Sequence, residues 1–136
     1  MDRVDVLEKV KGLLLLPGME MATTQQVATF YRVPKQAILS LVHDNRKEVE
    51  GDGYTTLRGK DLVNSLEEYT TIIRGKGHYA LESGVNISYS NNGLFPKRAI
   101  LRVGTLLRDS EVSKEVRTQL LNIEEKATTE IAHLFL

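Results

Sequence analysis

The apolar residues between positions 23 and 42 recur at helical spacing in two short runs, which a proline separates. The first run predicts a helix that begins at Thr23 or Thr24, because a threonine side chain can accept a hydrogen bond from a free backbone N–H at a helix start. Pro34 ends this helix, since the residue before a proline is driven out of the helical conformation, and Pro34 itself suits the first turn of a second helix that ends at Asp44. Two short amphipathic helices joined by a tight turn bury their apolar faces against each other, which predicts a helix-turn-helix. Its apolar residues are Val27, Ala28 and Tyr31 in the first helix and Ala37, Ile38, Leu41 and Val42 in the second.

The outward face of the second predicted helix is polar and basic. Lys35, Gln36 and Ser40 carry groups that hydrogen-bond base edges in the DNA major groove, and His43 extends the same face. We therefore expect this helix to read DNA; a helical hairpin with a merely solvated polar face is the alternative. We assign phosphate contacts to Arg46, Lys47, Arg58 and Lys60, and further DNA contacts to Thr24, Gln25, Lys97, Arg98 and Arg102.

The middle of the chain predicts further short elements. Residues 45–53 contain glycines on both sides of Asp52, which indicates a turn, and residues 54–57 are typical of a strand; together they have the length and position of a wing. A helix is predicted over residues 59–66. Residues 67–93 are predicted to be β-rich or a mobile connecting loop, and their basic Gly-Lys-Gly segment is either solvated or in contact with DNA.

The last third of the chain predicts helices. Pro96 opens one helix at its first turn, and a long helix follows from Ser110. After a polar end near residue 125, Thr128 or Thr129 can cap one more turn. The large apolar side chains of that turn need a partner surface, and we expect a homodimer, with packing on the same domain as the alternative. The predicted dimerisation residues are Ile131, Leu134, Phe135 and Leu136.

These elements together predict a mainly helical α+β fold with a small β component. A winged helix-turn-helix core is expected over residues 1–66, a connecting segment over residues 67–93 and a C-terminal pair of helices over residues 94–136. We expect all three parts to form one compact domain, since 136 residues is the length of a typical single domain.

The composition excludes several classes of function. The chain has no cysteine, so it has neither disulfides nor thiolate metal sites, and its three histidines lack the spacing of zinc ligands. No serine lies in a recognisable hydrolase motif, and the carboxylates lie in polar settings, so we expect no catalytic residue, no metal and no cofactor. No apolar run is long enough to cross a membrane and the N-terminus lacks the features of a signal peptide, which predicts a cytoplasmic protein.

The charge balance is neutral overall but locally segregated. The 18 basic residues equal the 18 acidic ones, whereas a nucleic-acid-binding domain is usually basic. Residues 32–47 nevertheless carry four basic residues against one acid, and residues 96–108 carry four and no acid. Arg98 and Arg102 are four residues apart on one helix face, where they could contact phosphates or pair with acids of the final helix, such as Glu111 or Glu115.

Two segments of the chain, taken together, resemble a known family. The first, residues 23–54, leads from the helix-turn-helix pattern to a turn that contains Asn45-Arg46 and Gly53-Tyr54. The second, residues 94–125, leads from Phe95 through a helix to Leu107-Arg108-Asp109 and a final long helix. Over about residues 20–126 the chain resembles the N-terminal domains of phage and prophage antirepressor-type regulators, the Bro-N and KilA-N group and its relatives. The resemblance implies DNA binding and control of phage or mobile-element genes, although some family members bind a repressor protein instead.

The sequence therefore predicts a regulator that binds double-stranded DNA sequence-specifically and is not an enzyme. The competing hypothesis is a protein-interaction module that captures a repressor, through the C-terminal tail or through the same helical face.

Overall fold

The computed structural model describes residues 15–107 and 111–134, and side chains within residues 15–107 and 114–126. This part of the chain is mixed α+β, with six helices and two three-stranded antiparallel sheets. The helices are α1 (Thr24–Tyr31), α2 (Lys35–Asp44), α3 (Arg46–Gly51), α4 (Gly59–Leu66), α5 (Lys97–Leu106) and α6 (Glu111–Leu134). The strands are β1 (Met21–Thr23), β2 (Thr55–Arg58), β3 (Ile72–Arg74), β4 (His78–Leu81), β5 (Asn86–Ser88) and β6 (Asn91–Pro96).

The first sheet has the strand order β1-β6-β2, so β6 lies at its centre. Ala22 of β1 pairs with Phe95, and Thr55 of β2 pairs with Leu94. Successive residues of a strand point to opposite faces, and Leu94 and Phe95 are both fully buried. Both faces of this sheet are therefore covered, each by its own apolar cluster.

Phe95 belongs to the larger cluster, which the helices α1, α2, α3, α5 and α6 build together. Tyr31 at the end of α1 is fully buried in it, and its hydroxyl donates a hydrogen bond to the carbonyl oxygen of Ile100 at 2.6 Å. Gly104 of α5 makes room for this ring, because a Cβ atom there would lie 2.6 Å from the tyrosine oxygen. The cluster consists of Ala22, Val27, Ala28, Tyr31, Ile38, Leu41, Val42, Val49, Phe95, Ala99, Ile100, Val103 and Val116.

Leu94 belongs to the second cluster, between the first sheet, α4 and the second sheet. The second sheet is a meander with the order β3-β4-β5. The glycine at the start of α4 brings that helix close to β5: a Cβ at Gly59 would overlap the carbonyl oxygen of Ser88 and lie 2.9 Å from the Cα of Tyr89. This cluster consists of Leu16, Leu62, Val63, Leu66, Leu81, Ile87 and Leu94.

The predicted α1–α2 pair is confirmed, and its caps account for its boundaries. The Thr23 hydroxyl accepts from the Gln26 backbone N–H at 3.2 Å, and the Gln26 side chain accepts from the Thr23 backbone N–H at 2.8 Å, which is a reciprocal capping box. Helix α1 ends at Arg32, which has the left-handed conformation (φ 57°), and Pro34 takes the N-cap position of α2. The predicted helix over residues 59–66 is also confirmed as α4.

The turn at Gly51-Asp52-Gly53 is confirmed, but residues 46–51 before it, for which the sequence predicts no helix, form the helix α3 and place Val49 in the larger cluster. The helix that Pro96 opens is confirmed as α5, with Pro96 at its N-cap, whereas the central strand β6, which ends at Pro96, was not predicted. One local prediction was wrong. The break expected before Thr128 is absent, and α6 continues to Leu134, since the residues before it are good helix formers.

We predict that Gly59→Ala lowers the free energy of unfolding by about 1–3 kcal/mol, because the added methyl group must displace the backbone of β5. Chemical denaturation followed by circular dichroism measures the change. Gly51→Ala is the matched control: no atom lies within 4 Å of a Cβ there, so stability should stay unchanged or rise by up to about 1 kcal/mol. Equal losses from both substitutions would contradict the close contact between α4 and β5.

Candidate nucleic-acid interface

A groove of about 500 Å³ lies beside the first turns of α1 and α2. One wall comes from these two helices, the floor comes from β2 and β6, and the opposite wall comes from β5 and the turn before β4. The lining residues are Thr23, Thr24, Gln25, Lys35, Leu39, Tyr54, Thr56, Gly77, His78, Asn86, Ser88, Asn91, Asn92 and Gly93.

The groove is rich in hydrogen-bonding side chains, and no described residue of its lining is an acid. Most of the lining residues carry an amide or a hydroxyl group. Amides and hydroxyls hydrogen-bond to phosphate oxygens and to base edges, and Lys35 adds a positive charge at the wall. The lining is therefore chemically suited to a polyanion with hydrogen-bonding edges.

Gly93 sets the depth of this groove. A Cβ at this position would lie 2.7 Å from the Tyr54 hydroxyl oxygen and 2.8 Å from Thr24 Oγ1, so only glycine lets both side chains approach β6 so closely. Tyr54 and Thr56 both line the groove, and by strand alternation the exposed Arg58 lies on the same face of β2. Arg58, a predicted phosphate contact, thus projects on the groove side of the sheet.

The Asn92 side chain joins the groove floor to the wall that β5 forms. Its side-chain amide donates to the carbonyl oxygens of Leu57 at 3.3 Å and Ser88 at 2.9 Å, and its Oδ1 accepts from the Ser88 backbone N–H at 2.9 Å. Strands β2, β5 and β6 are held together through this one side chain. The position of β5 relative to the groove floor is therefore fixed by hydrogen bonds as well as by the buried clusters.

The predicted reading face of α2 is exposed, as the sequence indicates. Lys35, Gln36, Ser40 and His43 are all exposed, and Gln36 Nε2 lies 3.5 Å from Ser40 Oγ one turn along. Leu39 lies on the same side with 43% of its surface exposed and lines the groove. An exposed leucine among polar groups offers an apolar contact of the kind that a thymine methyl accepts.

Several predicted basic contacts are engaged in ion pairs within the protein. Arg46 Nε donates to Glu50 Oε1 at 2.7 Å, one turn along α3. Lys97 Nζ lies 4.0 Å from Glu20 Oε1. Lys47, Lys60 and Gln25 are exposed, whereas Thr24 is buried at the start of α1 with its hydroxyl against the groove floor.

Arg98 and Arg102 bind one buried carboxylate. Arg98 Nε donates to Asp52 Oδ1 at 2.8 Å, and Arg102 Nε donates to Asp52 Oδ2 at 2.6 Å. The Asp52 side chain is only 3% exposed, whereas that of Arg98 is 78% exposed. Arg102 also lies 3.7 Å from Glu48 Oε2. These two arginines therefore fasten α5 to the turn after α3.

One of the two alternatives for these arginines, pairing with acids of the final helix, is corrected by this geometry. Their acid partner is Asp52, far earlier in the chain, and Glu115 of α6 instead accepts from Gln119 Nε2 at 3.2 Å. The side chain of Glu111 lies outside the described residues, as do the dimerisation side chains predicted at the C-terminus: Ile131, Leu134, Phe135 and Leu136.

Sequence reasoning missed the wall of the groove that faces α2. Asn86, Ser88 and His78 are brought to the groove only by the packing of the second sheet, and no helical or strand period marks them as a site. The one available signal was the polar run over residues 88–92, because its serine and asparagine side chains can hydrogen-bond a ligand.

Within the described ranges, no three His, Asp or Glu side chains converge closely enough to hold a metal ion. None of the helices in these ranges combines the length and the apolar composition that crossing a membrane requires. Comparison of the chain with protein-family models, with curated proteins and with solved structures finds no match.

We predict that Asp52→Asn lowers the free energy of unfolding by about 1.5–3 kcal/mol at neutral pH, because it removes charge-assisted hydrogen bonds to two arginines. The hydrogen bond from Arg102, followed by that from Arg98, lowers the pKa of Asp52 below its ordinary value of 3.8. The stabilisation is therefore complete above pH 3.8 and is lost as the pH falls through the lower pKa of the folded protein.

The measurement is the unfolding free energy of the parent and of Asp52→Asn at a series of pH values. Their difference should shrink in acid, and a difference that stayed constant from neutral pH into the acid range would contradict the assignment. Asp44→Asn is the control, because Asp44 is exposed and its replacement should change stability by no more than about 0.5 kcal/mol.

Proposed function

We propose that this chain is a sequence-specific, double-stranded-DNA-binding transcriptional regulator, built around a winged helix-turn-helix in which α2 enters the major groove. The observation that carries the proposal is the exposed polar face of α2 beside a groove whose described lining contains no acid. A recognition helix needs such a face to meet base edges, and the adjoining phosphates require that no carboxylate oppose them.

The proposed role of each DNA-contacting residue follows from the chemistry of its side chain. Lys35, Gln36 and Ser40 contact base edges, with His43 at the far end of the same face. Arg58 contacts phosphate from the groove side of β2, while the exposed Lys47 and Lys60 supply further positive charge. Arg98 and Arg102 act mainly by holding Asp52, because their Nε atoms are bound to it.

The resemblance to phage antirepressor-type regulators supports a role in controlling the genes of a phage or another mobile element. The same family resemblance carries the second hypothesis, a module that binds a repressor protein. Salt separates the two, since DNA affinity falls steeply with salt as counterions are released from the phosphates, whereas an apolar protein interface responds weakly.

We predict that replacing Lys35 and Gln36 together by Ala abolishes or relaxes the sequence preference of the domain. Each lost base contact should weaken binding to the preferred site by about 1–3 kcal/mol, with less effect on unrelated DNA. The parent first selects its site from a pool of random duplexes, and fluorescence anisotropy then compares that site with a scrambled one. Lys126→Ala on α6 is the control, and equal site preference in the parent and the double variant would contradict the recognition-helix assignment.

A second prediction uses two neighbouring threonines of β2 as a matched pair. Both are exposed, but Thr56 lines the groove and Thr55 points to the opposite face of the strand. Thr56→Glu should weaken binding to every duplex by about tenfold or more, because a carboxylate in the groove repels phosphate.

Thr55→Glu carries the same change in charge and strand propensity, and should leave affinity nearly unchanged. Equilibrium binding titrations of both variants against one duplex measure the two affinities and test this prediction. Equal effects of the two substitutions would show that the groove is not where DNA lies.

A further inference from the structure

The turn between β3 and β4 is flanked and occupied by basic side chains. Residues 70–81 contain Arg74 and Lys76 and no acid. Arg74 and Lys76 are exposed, and neither forms an ion pair with any other residue in the described part of the chain. Their charge is thus available to a ligand, in contrast to that of Arg46 or Arg102.

The turn is held in one shape by contacts from within the protein. The Gly75 backbone N–H donates to the carbonyl oxygen of His78 at 2.8 Å, and the Tyr89 hydroxyl donates to the carbonyl oxygen of Gly75. The Arg74 guanidinium lies over the Tyr89 ring, 5.6 Å from its centroid. Tyr89 itself is braced edge-on by Tyr79, with 4.8 Å between ring centroids. A basic turn fixed in this way loses little conformational entropy when it binds.

The turn is also placed on the groove. Gly77 and His78 line the same groove as Lys35 and Leu39 of α2, and the exposed Arg74 and Lys76 flank this part of the turn just outside the lining. A strand of DNA lying in the groove would therefore meet α2 on one side and the basic turn on the other. When a helix lies in the major groove of DNA, the sugar–phosphate backbone that borders the groove runs alongside the helix.

We propose that the β3–β4 turn is a second DNA-contacting element, which grips the phosphodiester backbone from the side opposite α2 through Arg74 and Lys76. This inference rests on the proposed function. It assigns the role of a wing to the β3–β4 turn instead of residues 45–57. Because this turn would contact phosphates, it would contribute affinity but no sequence specificity.

The test compares the full chain with the double variant Arg74→Ala, Lys76→Ala. Fluorescence anisotropy titrations at several salt concentrations use two duplexes, the site selected by the parent and a scrambled one. Loss of two phosphate contacts should reduce the slope of log affinity against log salt by about two units, and weaken binding to both duplexes about 10- to 100-fold at 0.1 M salt. Both side chains are exposed and only the Arg74–Tyr89 ring contact is lost, so the thermal unfolding midpoint should fall by no more than about 5 °C.

The matched control is Lys114→Ala, Lys126→Ala, which removes the same net charge from α6, an element that contributes no described residue to the groove. An unchanged salt slope in the turn variant, or an equal decrease in the control, would overturn the inference and leave the proposed function intact. A changed sequence preference with an unchanged slope would also overturn it. Failure of the parent to bind any duplex would overturn both the inference and the proposed function.

Discussion

The structure depends on a single strand, β6, in which two adjacent residues belong to different apolar clusters. Leu94 and Phe95 point to opposite faces of the first sheet and are both fully buried. The helices on one side and the second sheet with α4 on the other are joined mainly through this pair. Burial of a side chain of this size stabilises a fold by roughly 1.5–3 kcal/mol, so a substitution at Phe95 weakens the larger cluster and one at Leu94 weakens the second cluster.

The same strand explains why the groove exists. Immediately before the buried pair, Gly93 admits Tyr54 and Thr24, and Asn92 fastens the wall opposite α2. Four consecutive residues of β6 therefore fix both clusters, the floor and one wall. The groove is a product of core packing, and its shape does not rely on the exposed side chains that would meet a ligand. Those side chains can vary without changing the frame that presents them.

Much of the helical architecture was predictable from local signals. The apolar period located α4, and together with a capping threonine and a proline, which act on residues a few positions away, it located α1 and α2. The missed strand β6 has a different origin. Phe95 and Pro96 resemble a helix start in sequence, and only partners far away in the chain, such as Ala22, make them a strand.

The candidate site shows the same difference between residues that local signals identify and residues that only long-range packing brings together. The exposed face of α2 follows from one helix period, so Lys35, Gln36 and Ser40 could be named from sequence. The carboxylate that binds Arg98 and Arg102 belongs to Asp52, in the turn after α3, and the spacing of charges along α5 could not identify it. Nor could any local pattern show that the β3–β4 turn faces α2 across a groove, since this depends on how the second sheet packs.

The position of β6 also determines the order in which the chain can fold. Strands β1 and β2 pair with β6 alone within the described sheet. The hydrogen bonds between β1 and β6 therefore cannot form until Phe95, the partner of Ala22, has been synthesised. During synthesis, the α1–α2 pair can form early from local contacts, while both outer strands remain unpaired until the central one leaves the ribosome. Long-range closure of this kind slows folding, and it leaves the edges of β1 and β2 open to pairing with other chains until β6 inserts between them.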